Sequence, residues 1–166
     1  MNEEIFDVVD ENNCVIKQLP RSEVHRLGLR HRSVHLLVFN SKGELFLQKR
    51  SMKKDCSPGT WDSSVSGHLD SGEDYDECVI RESKEEIGLV LNSVPEKLFN
   101  IDACEDTGQE FVWVYRHEAE GPFTLDSEEI SEGNWFAPTI ISEWVEKSPE
   151  EFEASFPLIW RRLQTQ

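Results

Sequence analysis

The sequence predicts a single mixed α/β domain spanning residues 1–166. Its length of 166 residues is that of one ordinary domain with a core of its own. Apolar runs rich in strand-forming residues recur along the chain, for example at residues 33–40 and 44–50. Residues 73–87 have the spacing of an amphipathic helix, which Gly88 ends. Strand and helix patterns thus occur in one chain, as in mixed α/β proteins.

The N-terminal part of the chain predicts an extension, residues 1–30, in front of the main strands. Two short apolar runs, at residues 5–10 and 14–18, are typical of a hairpin, and residues 20–32 are expected to form a connecting segment. The other expected elements are a basic loop at 51–60, strands at 61–67, 97–103, 110–117 and 135–136, and closing helices at 139–147 and 149–163, within a C-terminal helical region at 139–165.

The composition limits the partners that the chain can have. It holds 17 Lys and Arg against 33 Asp and Glu, a formal net charge of −16, which disfavours a polymeric nucleic acid. A small anionic substrate remains compatible where a metal or clustered basic residues supply local positive charge. No apolar run approaches the roughly 20 residues of a membrane helix. The start lacks the pattern of a signal peptide, so a cytoplasmic protein without a membrane partner is expected. The oligomeric state stays open, with a homodimer as one alternative.

The helix predicted at residues 73–87 gathers acidic side chains on one arc. Glu82, Glu85 and Glu86 are related as i, i+3 and i+4, so their carboxylates converge and repel one another. A hard divalent cation such as Mg²⁺ or Mn²⁺ offsets that repulsion and also bridges to phosphate oxygens. The alternative is a solvated acidic face on which Arg81 pairs with Glu85 and Glu77.

A loop bounded by Gly67 and Gly72 precedes this helix and favours the metal-binding interpretation. Asp70-Ser71-Gly72 has the composition of a turn, and Ser71, followed by Asp74, resembles a capping box that would begin the helix beside the loop. Backbone carbonyls of the loop, such as that of Gly67, are able to add oxygen ligands.

Residues 67–89, GHLDSGEDYDECVIRESKEEIGL, resemble the Nudix box, which is written G-x5-E-x7-R-E-U-x-E-E-x-G-U with U an apolar residue. The one departure is Ser83, a small residue at the first U position. The resemblance implies the α/β/α sandwich of that family, with a central mixed β-sheet, over most of the chain. The positions that match at the required spacing are Gly67, Glu73, Arg81, Glu82, Glu85, Glu86, Gly88 and Leu89.

The resemblance implies a Nudix pyrophosphohydrolase, a hydrolase acting on acid anhydrides. The three helix glutamates and the Gly67 carbonyl would bind the catalytic Mg²⁺, with Mn²⁺ as the alternative. Arg81 would orient the glutamates, and Glu73 would support the loop or a second metal. A metal-activated water would then attack one phosphorus of a small substrate, a nucleoside diphosphate linked to X. Glu86 and Glu110 are the candidates for the general base.

Residues 31–89 also resemble the type I isopentenyl-diphosphate isomerases, which share the Nudix fold. Those enzymes have a cysteine at the position of Ser66, and a serine hydroxyl is a poor replacement because its pKa is far higher than that of a thiol. They also lack the complete glutamate set. Both departures favour hydrolysis, so an isomerase-like enzyme is the alternative, together with a non-catalytic nucleotide-binding Nudix module.

The isomerase resemblance suggests further contacts. Arg50 and Lys54 match basic residues that hold the diphosphate, and Arg32 is a third substrate-binding candidate. His68 is a candidate metal ligand. The isomerase metal ligands correspond to His31, His68 and, approximately, Glu110. His25 has a different spacing, and whether His25, His31 and His68 bind metal stays open. Trp61, Phe111, Trp113 and Trp135 are more typical of core than of base-stacking residues.

Overall fold

A computed structural model describes residues 3–166, so the start of the expected extension, residues 1–2, lies outside the described part. Within residues 3–166, nine strands and four α-helices follow one another. The strands are β1 (Ile5–Val9), β2 (Val15–Pro20), β3 (His31–Phe39), β4 (Leu45–Arg50), β5 (Trp61–Asp62), β6 (Val65–His68), β7 (Glu96–Ile101), β8 (Glu110–Glu118) and β9 (Ile130–Phe136). The helices are α1 (Arg21–Leu27), α2 (Tyr75–Ile87), α3 (Pro138–Lys147) and α4 (Ser155–Gln164), with a short 3-10 helix at Pro149–Glu151.

The centre of the molecule is a seven-stranded mixed sheet. Its main path runs β5-β4-β3-β8-β7, with β6 also paired to β3 and β9 to β4. Strand β3 pairs in parallel with β8 and antiparallel with β4 and β6. Because β6 lies directly beside β3, Ser66 stands opposite His35 and His68 opposite Ser33. This register brings polar residues of two distant chain segments onto one face of the sheet.

Helices cover both faces of the sheet and give the expected α/β/α sandwich. On one face α3 and α4 pack on a core that includes Leu47 and Trp160. On the other, α2 packs on a core that includes Phe46 and Val79. The predicted fold class, a sandwich with a central mixed sheet, is therefore confirmed. Ser83 of α2 is fully buried, and its hydroxyl donates to the Val79 carbonyl at 2.6 Å, so the polar group is satisfied within the helix.

The N-terminal hairpin is confirmed as β1 paired with β2, but the connecting segment predicted after it is wrong in part. Residues 21–27 form α1, which buries Val24 against Phe6 of β1 and ends at Gly28 in the left-handed region (φ 62°). The helix has seven residues, too few for a clear 3.6-residue periodicity in the sequence.

Three other boundaries differ from the sequence prediction. Helix α2 begins after Asp74, whose side chain accepts from the Glu77 N–H at 2.8 Å in a capping box, so Ser71 is not the cap. Ser71 Oγ instead donates to Asp7 Oδ1 (2.8 Å) and ties the loop to β1. The strand expected at 61–67 is divided into β5 and β6, and the helix expected at 149–163 into the 3-10 turn and α4.

The short strand expected at 135–136 is the end of the longer strand β9. The sequence did not indicate its full length, because its residues are mainly polar. Across residues 3–166, no helix combines the length and the apolar character that crossing a bilayer requires.

Candidate functional site

Two cavities meet at strand β6. The first, the carboxylate cleft, is lined by Glu82, Glu85 and Glu86 of α2, with basic residues opposite. The second, the histidine cavity, has a volume of about 320 Å³ and is lined by four histidines and Glu110. Its histidines are His25, His31, His35 and His68. The two cavities share four lining residues, Arg50, Ser66, Gly67 and His68, and therefore adjoin each other.

The three glutamates predicted from the sequence do converge on the carboxylate cleft, at different depths. Glu86 is 5% exposed, whereas the side chains of Glu82 and Glu85 are 14% and 58% exposed. Burial, opposed by Arg81 and reinforced by Glu85, raises the pKa of Glu82 to about 7. Burial and the charge of Glu82 also raise the pKa of Glu86 well above its usual range. The raised pKa values show that the basic residues nearby do not fully offset the burial of Glu82 and Glu86. A bound divalent cation would supply the missing positive charge and keep both carboxylates ionised.

Gly67 is required by the close approach of Glu82 to β6. A Cβ atom at residue 67 would lie 2.3 Å from Glu82 Cδ and 2.6 Å from Oε1. Only glycine leaves that space free. The Glu82 carboxylate therefore lies against the backbone of the residue whose carbonyl the sequence predicts as a further oxygen ligand.

Arg81 connects the glutamates to the preceding loop. Its guanidinium donates to both oxygens of Glu73 (2.7 and 2.8 Å), to Glu82 Oε1 (2.9 Å) and to Glu85 Oε2 (3.1 Å). It also donates to the His68 carbonyl at 3.1 Å. These contacts, the Glu73 bonds first, raise the pKa of Arg81 despite burial, so its charge is permanent. Arg81 is thus placed to orient Glu82 and Glu85, and Glu73 to support the loop.

Two of the three predicted substrate-binding cations lie at the cleft. Arg50 donates to Asp62 Oδ2 (3.2 Å) and twice to the Cys56 carbonyl (3.1 and 2.9 Å), and its guanidinium lies where the cavities meet. Lys54 forms an ion pair with Glu129 at the cleft wall.

Arg32 is the exception, and its predicted substrate-binding role is not supported by its position. Its guanidinium donates to Asn13 Oδ1 (2.8 Å) and to the Asn13 carbonyl (2.6 Å). It lines neither of the two cavities. Alternation along β3 explains this, because Arg32 points to the opposite face from its neighbours His31 and Ser33.

Arg21 and Gln48 are site residues that the sequence did not indicate. Arg21, the first residue of α1, lines the carboxylate cleft and donates to Asp55 Oδ1 at 3.0 Å. Gln48 of β4 donates to Glu86 Oε1 at 3.0 Å. Both reach the site from elements far from the box in sequence, so local spacing holds no signal for them beyond the basic composition around Arg21.

The structure groups His68 with His25 and His31, although His68 also borders the carboxylate cleft. The three ring centroids lie 5.2–5.3 Å apart, and one ring nitrogen of each is within 4.8 Å of the others. Burial lowers the pKa of His25 to about 4 and also lowers that of His68. Neutral imidazoles are the form that binds metals.

His31 has the hydrogen-bonding pattern of a prepared ligand. Its Nδ1–H donates to the Leu29 carbonyl (2.9 Å), which leaves Nε2 as an acceptor. That Nε2 is buried and makes no hydrogen bond within residues 3–166, and the carboxylate oxygen Glu110 Oε2 lies 3.5 Å from it. Glu110 Oε2 lies 3.0 Å from His68 Nε2, and His68 with His31 outweighs burial and lowers the pKa of Glu110, so it is a carboxylate. The three imidazoles have the spacing of metal ligands, and the Glu110 carboxylate lies beside two of them.

Glu110 lines the histidine cavity but not the carboxylate cleft. Of the two residues that the sequence nominates as general base, Glu86 is therefore the one in the carboxylate cleft, where it is one of the three convergent glutamates. Three of the aromatic residues expected in the core, Trp61, Trp113 and Trp135, are partly buried and pack against it, whereas Phe111 is partly buried and belongs to neither core cluster.

Comparison with known proteins adds independent observations. Residues 29–156 match the NUDIX domain. The chain is 36% identical over 146 residues to an uncharacterized Nudix hydrolase of Nostoc sp., which covers 87% of this chain and 86% of that protein. A second uncharacterized Nudix hydrolase, from Yersinia pestis, is 35% identical over 155 residues, or 91% of this chain and 83% of that one. The crystal structure of DR0079 from Deinococcus radiodurans has a TM-score of 0.85 and 28% identity, and covers 96% of this chain and 98% of its own.

Proposed function

The chain belongs to the Nudix family and is a Nudix hydrolase; from that premise we propose that it hydrolyses the diphosphate linkage of a small substrate, a nucleoside diphosphate linked to X or a related compound. The observation that carries the proposal is the pairing of the buried carboxylates Glu82 and Glu86, with Arg21, Arg50 and Lys54 around the same cleft. Convergent carboxylates without basic side chains nearby would repel a diphosphate. Basic side chains alone would hold the diphosphate but would not activate water.

Mg²⁺, with Mn²⁺ as the alternative, is the proposed cofactor. Glu82, Glu86 and the more exposed Glu85 would hold it, with the Gly67 carbonyl as an additional oxygen donor. The cation, when bound, supplies Lewis-acid polarisation of the phosphate and lowers the pKa of a coordinated water.

The chain's own residues account for the other requirements of the reaction. Arg50 and Lys54 neutralise and orient the diphosphate, and Arg21 adds a third positive charge from α1. Arg81 keeps Glu82 and Glu85 aimed into the cleft through its fixed fork of donors.

Two alternatives remain separable from hydrolysis by their products. An isopentenyl-diphosphate isomerase-like enzyme would need proton transfer at the position of Ser66, and the contact of its hydroxyl with the base His35 Nε2 is 3.5 Å, too long for a strong hydrogen bond. A non-catalytic nucleotide-binding module would not need the complete set of box glutamates, and this chain has them all.

A substrate panel tests the proposal. Nucleotide sugars, dinucleoside polyphosphates, NADH, nucleoside triphosphates and thiamine diphosphate would each be incubated with the protein, with Mg²⁺ or with a chelator. Cleavage that requires Mg²⁺ supports hydrolysis. Interconversion of isopentenyl and dimethylallyl diphosphate would instead favour the isomerase, and tight binding without turnover the non-catalytic module.

We also propose that His68, with His25, His31 and Glu110, holds a second divalent cation, for which imidazole nitrogen suits Zn²⁺ rather than Mg²⁺ or Mn²⁺. Elemental analysis of protein equilibrated with Zn²⁺ and then desalted should find about one equivalent more metal in the wild type than in His31→Ala. The His117→Ala variant is a control, because His117 lines neither cavity. Equal metal content in all three proteins would contradict the second site.

A further inference from the structure

The two oxygens of the Glu86 carboxylate have different surroundings. Oε1 accepts two hydrogen bonds, from the Ser66 N–H of β6 (3.0 Å) and from Gln48 Nε2 of β4 (3.0 Å). Oε2 accepts none from residues 3–166, and Glu86 lines the carboxylate cleft. Two strands therefore hold one oxygen and leave the other toward the cleft.

Gln48 is itself fixed in one orientation. It is 2% exposed, and its Nε2 also donates to the Ser64 carbonyl at 3.3 Å. The Ser64 carbonyl can only accept, and Glu86 Oε1 already accepts the Ser66 N–H, so turning the amide over would place oxygen against oxygen twice. Both amide hydrogens are consequently used, and the side chain has no freedom to leave Glu86 without losing two bonds.

Gln48 lines neither cavity, so its contact with the carboxylate cleft is through Glu86. We propose that Gln48 is a positioning residue for the cation ligand Glu86: it holds Oε1 against β4 so that Oε2 alone is presented to the cation. The inference rests on the proposed function. Its physical basis is that partners of metal-binding carboxylates orient them, and that their loss weakens metal affinity by about 10- to 100-fold.

A purely structural role for Gln48 is the competing interpretation, because the same amide satisfies the buried Ser64 carbonyl. The two interpretations differ in what a second substitution does. If Gln48 acts through Glu86, then its replacement should change nothing further in a protein that already lacks the Glu86 carboxylate. If it only supports the strand, its effect should be the same in either background.

The experiment is a titration of the full chain with Mn²⁺ followed by calorimetry or electron spin resonance. Gln48→Met keeps the length of the side chain and removes its donors; Gln48→Asn keeps the amide but withdraws it from Glu86. The expected result for both is a Kd about 10- to 100-fold weaker than that of the wild type. In the Glu86→Gln background, Gln48→Met should change the Kd less than about twofold, because residue 86 then has no carboxylate oxygen to present to the cation.

Gln18→Met is the matched control. Gln18 also donates to a carboxylate, Asp7 Oδ1 at 3.2 Å, but on the exposed hairpin away from the cleft. Its replacement should leave the Kd unchanged, and thermal unfolding without metal shows which variants are folded.

Several results would overturn the inference. Folded Gln48 variants that bind Mn²⁺ like the wild type would do so, as would an equal effect of Gln48→Met in both backgrounds. Unfolding of both variants would assign Gln48 to the fold. If Glu86→Gln itself left Mn²⁺ binding intact, the proposed ligand set would fail as well, whereas failure confined to the Gln48 variants leaves the proposed function standing.

Discussion

At the level of single residues, the site depends on a few side chains that contacts with the neighbouring strands hold in place. Gly67 is the strictest case, since any side chain there meets Glu82. Glu86 is held by an amide N–H from β6 and by Gln48 from β4. Such contacts act on the direction of a carboxylate, and small errors in direction are costly to catalysis.

Gly67→Ala should therefore lower activity more than stability. The atom that a Cβ would meet is the end of a flexible side chain, so Glu82 can turn away and the fold can survive. We expect kcat/KM to fall about 10- to 100-fold, with a thermal midpoint close to that of the wild type.

The control for this prediction is a pair of variants. In a Glu82→Ala protein the clash is absent, so adding Gly67→Ala should cost little more activity. A Gly67→Ala protein with wild-type kinetics would show that the close approach has no part in function.

At the element scale, much of the site could be predicted because the box is local. Fixed spacing on one helix places Glu82, Glu85 and Glu86 on one arc, and α2 presents them to the cleft. The contributions of other elements could not be predicted in the same way. Arg21 needs α1, which is too short to show periodicity, and Gln48 needs the register of β4 with its neighbours, which depends on distant pairing.

Arg32 is the opposite case, a residue that was predicted to bind substrate and lies away from the cleft. A basic residue beside His31 suggested a substrate contact, but alternation along β3 turns it to Asn13. Motif likeness indicates which residues are present, and strand geometry decides which face they share.

The capping box of α2 gives a prediction at this scale. Asp74→Ala removes the acceptor of the Glu77 N–H and should destabilise the protein by about 1 kcal/mol. A fall of about 3 °C in the thermal midpoint is expected for a chain of this size. Asp74→Ser keeps an acceptor and should stay near the wild type. Equal midpoints for the alanine and wild-type proteins would show that the cap contributes nothing.

At the scale of the whole molecule, the N-terminal extension lies largely outside the NUDIX match at residues 29–156 but contributes to both cavities through Arg21 and His25. The fold class followed from the sequence; the role of the extension did not, because it depends on how the hairpin and α1 pack. That residues 1–166 form one domain, the cytoplasmic location and a homodimer stay predictions.

The stability of the whole molecule should depend on pH through Glu153. Burial and the nearby charge of Asp62 raise the pKa of Glu153 from 4.5 to about 8. The folded state therefore holds a proton that the unfolded state releases. Its stabilising effect is complete below about pH 4.5 and is lost as pH rises toward 8.

Glu153→Gln mimics the protonated form and should remove this dependence. Urea unfolding at several values between about pH 5 and 8 should show the free energy of unfolding falling less steeply in the variant than in the wild type. Parallel pH profiles for the two proteins would contradict the assignment.

The central claim is that buried glutamates of α2 hold a divalent cation against a diphosphate. Its most direct test is the rate of diphosphate cleavage at saturating Mg²⁺ by Glu86→Gln, with the folded state verified by its thermal transition. The account predicts a loss in kcat of at least about 100-fold. A folded Glu86→Gln protein that cleaves the same substrate at the wild-type rate would contradict it.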